Sequence, residues 1–277
     1  NHPMTMTNKF RITLLGTGSP RPTLERQHPA ALVQWGEVGH MLVDAGDGVV
    51  GQLLKAGVAL ETVHNVALTH MHWDHILGYP AFVWGSWNTG RSTLDVTGPL
   101  GTEAMHHQLV ESYYREQAEW AIDLGFPRAG FDDVTVRDVP VGWSTEIAGC
   151  LVETGPVYHP PMHALAYKFT YQGRKLVVTG DTAKCDKLVA FCQGADVIVI
   201  DACAVAPSPH LPLERQRIIE RLHEFHASPQ DCIDIAADAN VRKVVLTHHL
   251  PGSKPKFDVS NYQGQVITGN DLDMIHV

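Results

Sequence analysis

Four residues of ligand type fall within six positions in His70-x-His72-x-Asp74-His75. Imidazole nitrogen and carboxylate oxygen are the donors that suit zinc, with Zn–N near ~2.0 Å. The group directly follows Val63–Leu68, a β-rich apolar run. At a strand's end the backbone is fixed, and the turn beyond it can aim alternate side chains at one point. His70 and His72 can then grip one cation while Asp74 and His75 face a second beside it. The competing account is a chance cluster of structural histidines, and so many ligand types packed behind one strand weigh against it. Three further ligand types end other apolar runs: His159 after Val157-Tyr158, Asp181 after Leu176-Val177-Val178-Thr179-Gly180, and His248 after Val244-Val245-Leu246-Thr247. Alone, each reads as an ordinary turn residue. Their shared placement points to convergence at one edge of a sheet.

The elements that must position these residues follow a repeated order. Phe10–Leu15 breaks at the turn Gly16–Pro20, and Ala31–Trp35 and His40–Asp44 are short apolar runs. Asp47 can cap a helix over Gly48–Ala56. In the second half, Leu151–Tyr158, Ala164–Tyr171, Lys175–Thr179, Val197–Ile200 and Lys243–Leu246 read as strands. Helical patterns there cover Lys184–Cys192, Leu213–Phe225 and Pro229–Ala239. Strands precede helices in each half, so two similar βα halves should pack sheet against sheet with helices outside, an α/β four-layer αββα sandwich. No linker or low-complexity segment divides the chain, which reads as one domain over residues 1–277. Residues 85–130 stand out as a polar, aromatic and largely helical stretch with Trp87, His106, His107, Tyr113, Tyr114 and Trp120. Two readings compete for it: a lid-like insertion over the site, or amphipathic helices whose aromatics pack inward.

Composition narrows the function classes. Histidine is the outlier, 17 of 277 residues against 21 lysines and arginines together, and it is both the commonest metal ligand and the neutral-pH acid or base. The net charge of −9 argues against a protein whose main task is gripping nucleic-acid phosphates. No apolar run is long enough for a membrane span. The five cysteines (Cys150, Cys185, Cys192, Cys203, Cys232) are scattered without a C-x-x-C pair, as in a cytoplasmic protein with reduced thiols. Asn1-His2-Pro3 before Met4 reads as a cloning remnant, with a strand too close behind to leave room for a signal peptide.

Taken in order, these motifs resemble the metallo-β-lactamase superfamily, specifically the branch of ribonuclease Z and related phosphodiesterases and small-ester hydrolases. The resemblance covers nearly the whole chain. It runs from Gly16-Thr17-Gly18-Ser19-Pro20 and Leu42-Val43-Asp44-Ala45-Gly46 through His70–His75 and Gly98-Pro99-Leu100-Gly101-Thr102. It continues through His159-Pro160-Pro161, Gly180-Asp181-Thr182 and Leu246-Thr247-His248 to Tyr262-Gln263-Gly264 and Asp271-Leu272. It implies two divalent ions, zinc before manganese or iron. His70, His72 and His159 would hold one, Asp74, His75 and His248 the other, and Asp181 would bridge them. Dications ~3.5–4 Å apart repel, and a bridging carboxylate screens that repulsion. Asp44, Thr69 and Thr247 are candidates for fixing the orientation of the ligand rings. The resemblance places the third histidine ligand at His159 rather than His163, and the last at His248 rather than His249. Phe225-His226-Ala227-Ser228-Pro229 is similar to a family segment leading into a helix, with Ser228 as N-cap. On that likeness His226 contacts the scissile group as acid or charge stabiliser, and Asp201 holds its tautomer. Asp74, His226 and Asp201 are thus the expected catalytic residues.

The substrate is less specified. The ribonuclease branch carries a Pro-x-Lys-x-Arg-Asn loop used on tRNA ends, and the matching Pro22-Thr23-Leu24-Glu25-Arg26-Gln27 lacks its lysine and asparagine. No Gly/Lys-rich arm for tRNA is evident. A small, aromatic substrate with a phosphodiester, carboxylic ester or lactone, or sulfate ester bond is therefore the leading expectation, cleaved by water activated on the metal pair. Processing of tRNA 3′ ends and iron-dependent oxidoreduction are the alternatives, and a non-enzymatic subunit ranks last because every matched ligand position is filled. A homodimer is expected only by analogy, and no membrane partner.

Overall fold

The computed structural model describes residues 9–277, so the opening tripeptide lies outside the described residues. The first half contains β1 (Phe10–Gly16), β2 (Ala30–Trp35), β3 (Gly39–Val43), α1 (Val49–Lys55), β4 (Asn65–Ala67), α2 (Trp73–Ile76), α3 (Tyr79–Asn88), β5 (Leu94–Gly98), α4 (Thr102–His106), α5 (Tyr113–Asp123) and β6 (Val134–Asp138). The second contains β7 (Ser144–Ile147), β8 (Cys150–Gly155), β9 (Ala166–Tyr171), β10 (Arg174–Val178), α6 (Asp186–Cys192), β11 (Val197–Asp201), α7 (Leu213–Arg221), α8 (Pro229–Asp238), β12 (Lys243–Thr247), β13 (Gln265–Thr268) and β14 (Met274–His276).

Two seven-stranded sheets result, in the orders β14-β1-β2-β3-β4-β5-β6 and β13-β12-β11-β10-β9-β8-β7. Each begins antiparallel and turns parallel: β1, β2 and β3 are antiparallel neighbours, then β4 to β6 add in parallel. β8, β9 and β10 repeat this before β11, β12 and β13. The period-2 alternation of each strand decides the layering. Phe10, Ile12 and Leu14 of β1, Val33 and Trp35 of β2, and Leu176, Val197, Val199 and Val245 of the other sheet share the core between the sheets. The opposite faces carry Leu32, Leu42, Val66 and Val96 against Leu53, Tyr79, Phe82 and Met105 on the first sheet. On the second, Val177, Ile198, Ile200, Val244 and Leu246 meet Leu188, Cys232 and Ile233. Three cores separate four layers, the αββα sandwich expected from the sequence.

Sheet edges depart from the sequence reading. The edge strands β6, β7, β13 and β14 are short or partly exposed with weak apolar alternation, which periodicity alone does not reveal. The stretch 85–130 needs correction as a lid-like helical insertion. It supplies β5, parallel between β4 and β6 in the first sheet. Several of its aromatics stack on one another and on flanking residues: Trp84 contacts Trp87, Tyr114 and Phe131, and Trp87 contacts Phe126, whereas Tyr113 and Trp120 stay exposed. The buried Arg91 guanidinium locks this cluster by donating to the Ser86 hydroxyl and to the carbonyls of Val83 and Gly130. None of the described helices is long and apolar enough to cross a membrane.

Candidate active site

Parallel strands present their carboxyl ends at one edge, where loops can carry chemistry. Here Asp44 follows β3, Thr69 to His75 follow β4, His159 follows β8, Asp181 follows β10, Asp201 ends β11 and His248 follows β12. The two sheets face each other, so their carboxyl edges meet and the seven expected ligands converge. Close approach is built in at Gly180 (φ 62°), where an added Cβ would sit 2.6 Å from the Thr69 side chain, letting the β10 loop reach the β4 loop. Asp44 and His248 adopt left-handed φ of 61° and 60° without being glycine. Such conformations are uncommon for these residues, and they collect at functional sites where the surroundings hold them.

The ligand atoms form two groups sharing Asp181. His70 Nε2 lies 3.0 Å from His72 Nδ1, and His159 Nε2 lies 3.1 Å from the same atom. The other group is Asp74, His75 and His248, with His248 Nε2 3.3 Å from Asp74 Oδ2 and 3.4 Å from His75 Nε2. Asp181 turns one oxygen to each: Oδ2 is 3.5 Å from His70 Nε2 and 3.7 Å from His159 Nε2. Oδ1 is 3.2 Å from His75 Nε2 and 3.3 Å from His248 Nε2.

Hydrogen bonds behind the rings fix which nitrogen stays bare. Thr69 Oγ1 donates to Asp44 Oδ2 at 2.7 Å, so it accepts from His70 Nδ1–H at 3.0 Å. His159 Nδ1–H donates to the Phe225 carbonyl at 2.9 Å, and His75 Nδ1–H to Asp44 Oδ2 at 2.7 Å. The Nε2 atoms of His70 and His159 therefore present lone pairs to the interior, the state a metal requires. The bond to Asp44 turns His75 Nε2 inward, where, against burial, Asp181, Asp44 and Asp74 raise the imidazole well above its ordinary value. Burial, followed by the neighbouring His70 and His159, pushes the His72 imidazole down to about 4, leaving it neutral. Burial would raise Asp74, but His75 and the hydrogen bond from His248 hold it down at about 2. The same contest, with His248, His75 and His70 opposing burial, keeps Asp181 well below the usual carboxylate range. Asp181 Oδ1 is buried without a hydrogen-bond donor, a costly state for a carboxylate oxygen unless a cation answers it. Histidine nitrogens crowded against one another, anionic carboxylates and an orphaned buried oxygen fit two divalent ions.

Of the expected orienting residues, Asp44 and Thr69 act as anticipated. Thr247 contributes through its backbone, its carbonyl accepting from Ala202 N at 3.0 Å.

Asp201 and His226 also come together. Asp201 Oδ2 accepts from His226 Nδ1–H at 2.6 Å and from Thr182 N at 3.2 Å, while Oδ1 accepts from Cys203 N at 2.9 Å. Burial alone would lower His226, but the Asp201 charge and hydrogen bond push it up to about 9. The ring is carried on a firm base, because Ser228 and Asp231 form a reciprocal capping box at the start of α8.

A cleft of roughly 930 Å³ opens over His72, Asp74, Asp181, His226 and His248. Its walls come from the turn at Ser19–Arg21, the segment 203–223 including α7, and the loop 250–256. Of the remaining histidines, His223 lines it, whereas His106, His107, His163 and His249 do not. His106 bonds the buried Tyr79 hydroxyl at 2.7 Å, and His249 bonds the Gly269 carbonyl at 3.1 Å. Cys203, reduced like the other four cysteines, places its thiol beside Asp201, His226 and His248. No motif announced Cys203 or His223 as site residues, and the helical pattern over Leu213–Phe225 did not show that α7 would line the cleft. Arg26 of the stretch likened to the tRNA loop is committed elsewhere, donating to Thr17 Oγ1, the Gly269 carbonyl and Asn270.

With this geometry established, comparison with known proteins is informative. The model of the beta-lactamase superfamily domain matches residues 40–249. A ribonuclease Z from Mycobacterium sp. (strain KMS) is 30% identical over 97% of this chain and 96% of its own length. The metallo-beta-lactamase fold protein YhfI from Bacillus subtilis superposes with a TM-score of 0.72 at 17% identity, covering 96% of this chain and 99% of that one. Human tRNase Z, short form, gives 0.70 at 20% identity, covering 96% and 98%. The chain belongs to the beta-lactamase superfamily, on its ribonuclease Z-like branch, and with it to the metal-dependent hydrolases of ester bonds.

Proposed function

We propose that the protein is a dinuclear-metal hydrolase of small esters, with a phosphodiester as first choice and zinc as the resident ion. The observation that carries this reading is the division of Asp181 between two nitrogen-rich groups, one oxygen to each. His70, His72 and His159 would hold one ion, Asp74, His75 and His248 the other, with Asp181 between. Bound, two such ions draw a nucleophile from water at neutral pH and neutralise charge on the ester oxygens.

The remaining work falls to the chain. Asp74, a carboxylate of the second ligand group facing the cleft, would accept a hydrogen bond from the attacking water and keep it in line. His226 is protonated at neutral pH and lines the cleft, and with Nδ1 tied to Asp201 its Nε2–H is the free donor. As the ester bond breaks, Nε2 gives its proton to the leaving oxygen, which departs as a neutral alcohol or phenol. Asp201 holds the imidazolium in place. The cleft has the size and partly apolar lining of a small-molecule site.

The test is metal-dependent turnover of nitrophenyl esters of a phosphodiester, a carboxylic acid and sulfuric acid, with elemental analysis alongside. Two zinc ions per chain and loss of turnover on chelation are expected. Absence of metal-dependent turnover on all three would sink the reading, and redox-active iron with oxygen consumption would replace it with oxidoreduction.

A second reading is tRNA 3′-end processing, favoured by relatives named ribonuclease Z. It requires cleavage of precursor tRNA with a steep salt dependence. The net charge of −9 stands against it.

A further inference from the structure

The cleft has two unlike ends. At one, α7 contributes no buried residue to the body of the protein, and Ile218, Ile219 and the flanking Leu211 and Leu222 form an apolar wall. At the other lie Ser19, Arg21 and Lys254. A smaller hollow of roughly 300 Å³ shares these three with the cleft, adds Glu25 and Arg26 at its far side, and takes no residue from α7, so the polar end runs away from the helix.

Two independent features mark this end. Ser19 is only 2% exposed, and its hydroxyl is buried without a hydrogen-bond partner, a state that costs free energy unless something else answers it. Apart from Asp74 and Asp181, every acidic or basic side chain lining the cleft, histidines aside, is a cation: Arg21 and Lys254 at this end, Lys256 two residues further along the same loop, and Arg215 on α7 across the cleft. Among the described residues none of these four has an ion-pair partner, whereas Arg128, Arg137, Lys184 and Arg242 elsewhere all have carboxylates in reach. In a chain of net charge −9, unpaired cations of one sign collected at one mouth form a field that selects anions.

We propose that Ser19, Arg21 and Lys254 form a subsite for a second acidic group of the substrate, so that the enzyme takes a small ester with an additional phosphate or carboxylate and an apolar part lying on α7. This rests on the hydrolase reading above. Arg21 and Lys254 supply charge-assisted donors, and the Ser19 hydroxyl gains the partner it lacks. A singly charged ester fills the catalytic centre and leaves this end to water.

Two matched measurements on the zinc-loaded protein test the subsite. The first compares the nitrophenyl ester of thymidine 5′-phosphate with and without a 3′-phosphate. The wild type should favour the ester bearing the 3′-phosphate by about tenfold in kcat/KM, carried by KM. Arg21→Ala combined with Lys254→Ala should abolish the preference and leave the singly charged ester unchanged. Equal turnover of both esters by the wild type, or an equal fall for both in the variant, overturns the proposal.

The second is calorimetric binding of thymidine 3′,5′-bisphosphate against thymidine 5′-monophosphate. About tenfold tighter binding of the bisphosphate, 1.4 kcal/mol, is expected and should vanish in the variant, while equal affinities refute the subsite. Because binding needs no turnover, failure of the hydrolase reading and failure of the subsite are distinguishable. Cleavage of precursor tRNA that is lost in the same variant, with a salt slope far above two, would reassign these cations to an RNA backbone and overturn the small-ester assignment.

Discussion

Two excursions from the sheets, Trp84–Phe131 and Cys203–His226, invite opposite conclusions from their composition and from their packing. The first is rich in tryptophan and tyrosine and draws attention as a cover for the site. Its inner part is bound into the body: Trp84, Trp87, Tyr114, Phe126 and Phe131 pack on one another, and Arg91 ties Val83 to Gly130 across them. The second has an ordinary amphipathic pattern, yet α7 has no fully buried residue and lines the cleft, and the segment ends at His226. Aromatic content marks a segment as able to pack, and a segment that has packed is spent as a binding surface. The helix left without packing partners keeps its apolar face for something else.

The largest effect expected to sharpen this contrast is at the end of the second excursion. His226→Ala should lower kcat by about 10²–10⁴-fold while Tm and metal content hold. A loss of both ions together with activity would place the role of His226 in the metal site instead. Its partner refines the point through pH. His226 is protonated below about 9 and loses its proton as pH rises through that value, so kcat should fall on the alkaline side. Asp201→Asn removes the charge that raises it, and the alkaline limb should move to lower pH; an unmoved limb would detach the limb from His226.

The first excursion should answer with stability. Trp87, 5% exposed, is predicted to cost about 3–5 kcal/mol of folding stability when truncated to alanine, with kcat/KM per folded molecule unchanged. A changed substrate preference at unchanged Tm would break the comparison. The smallest effect lies on α7. Ile219→Ala should leave the unfolding midpoint in denaturant nearly untouched, yet raise KM for esters with an apolar group about three- to tenfold, from the ~0.8 kcal/mol lost per methylene. An Ile219→Ala variant that unfolds earlier with KM unaltered would show α7 to be packed after all.

How much was legible depended on whether the signal was local. His70, His72, Asp74 and His75 announce themselves because a strand end concentrates them within one turn. His159, Asp181 and His248 are far apart in sequence, but each follows an apolar run, and the rule that ligands gather at the carboxyl ends of strands makes their meeting foreseeable. Asp201 and His226 were paired only through likeness to a family; nothing in a separation of 25 residues points from one to the other. β7 and β14, at the outer edges of the two sheets, carry half-exposed residues, so their alternation is weak and their pairing depends on the neighbour already in place.

By itself, the sequence determined the chemistry available: the ligand set, the strands behind it, and two halves able to form a layered α/β fold, since these follow from residue type and from periods of two and 3.6. Tertiary structure alone decided what surrounds that chemistry. Which nitrogen of His70, His75 and His159 faces the interior is settled by Thr69, Asp44 and the Phe225 carbonyl. Which excursion lines the cleft is settled by where Trp84 and α7 find partners, and that the cations of an acidic chain meet at one mouth is settled by three loops converging. Periodicity records the face a residue turns inward or outward; it does not record what stands opposite.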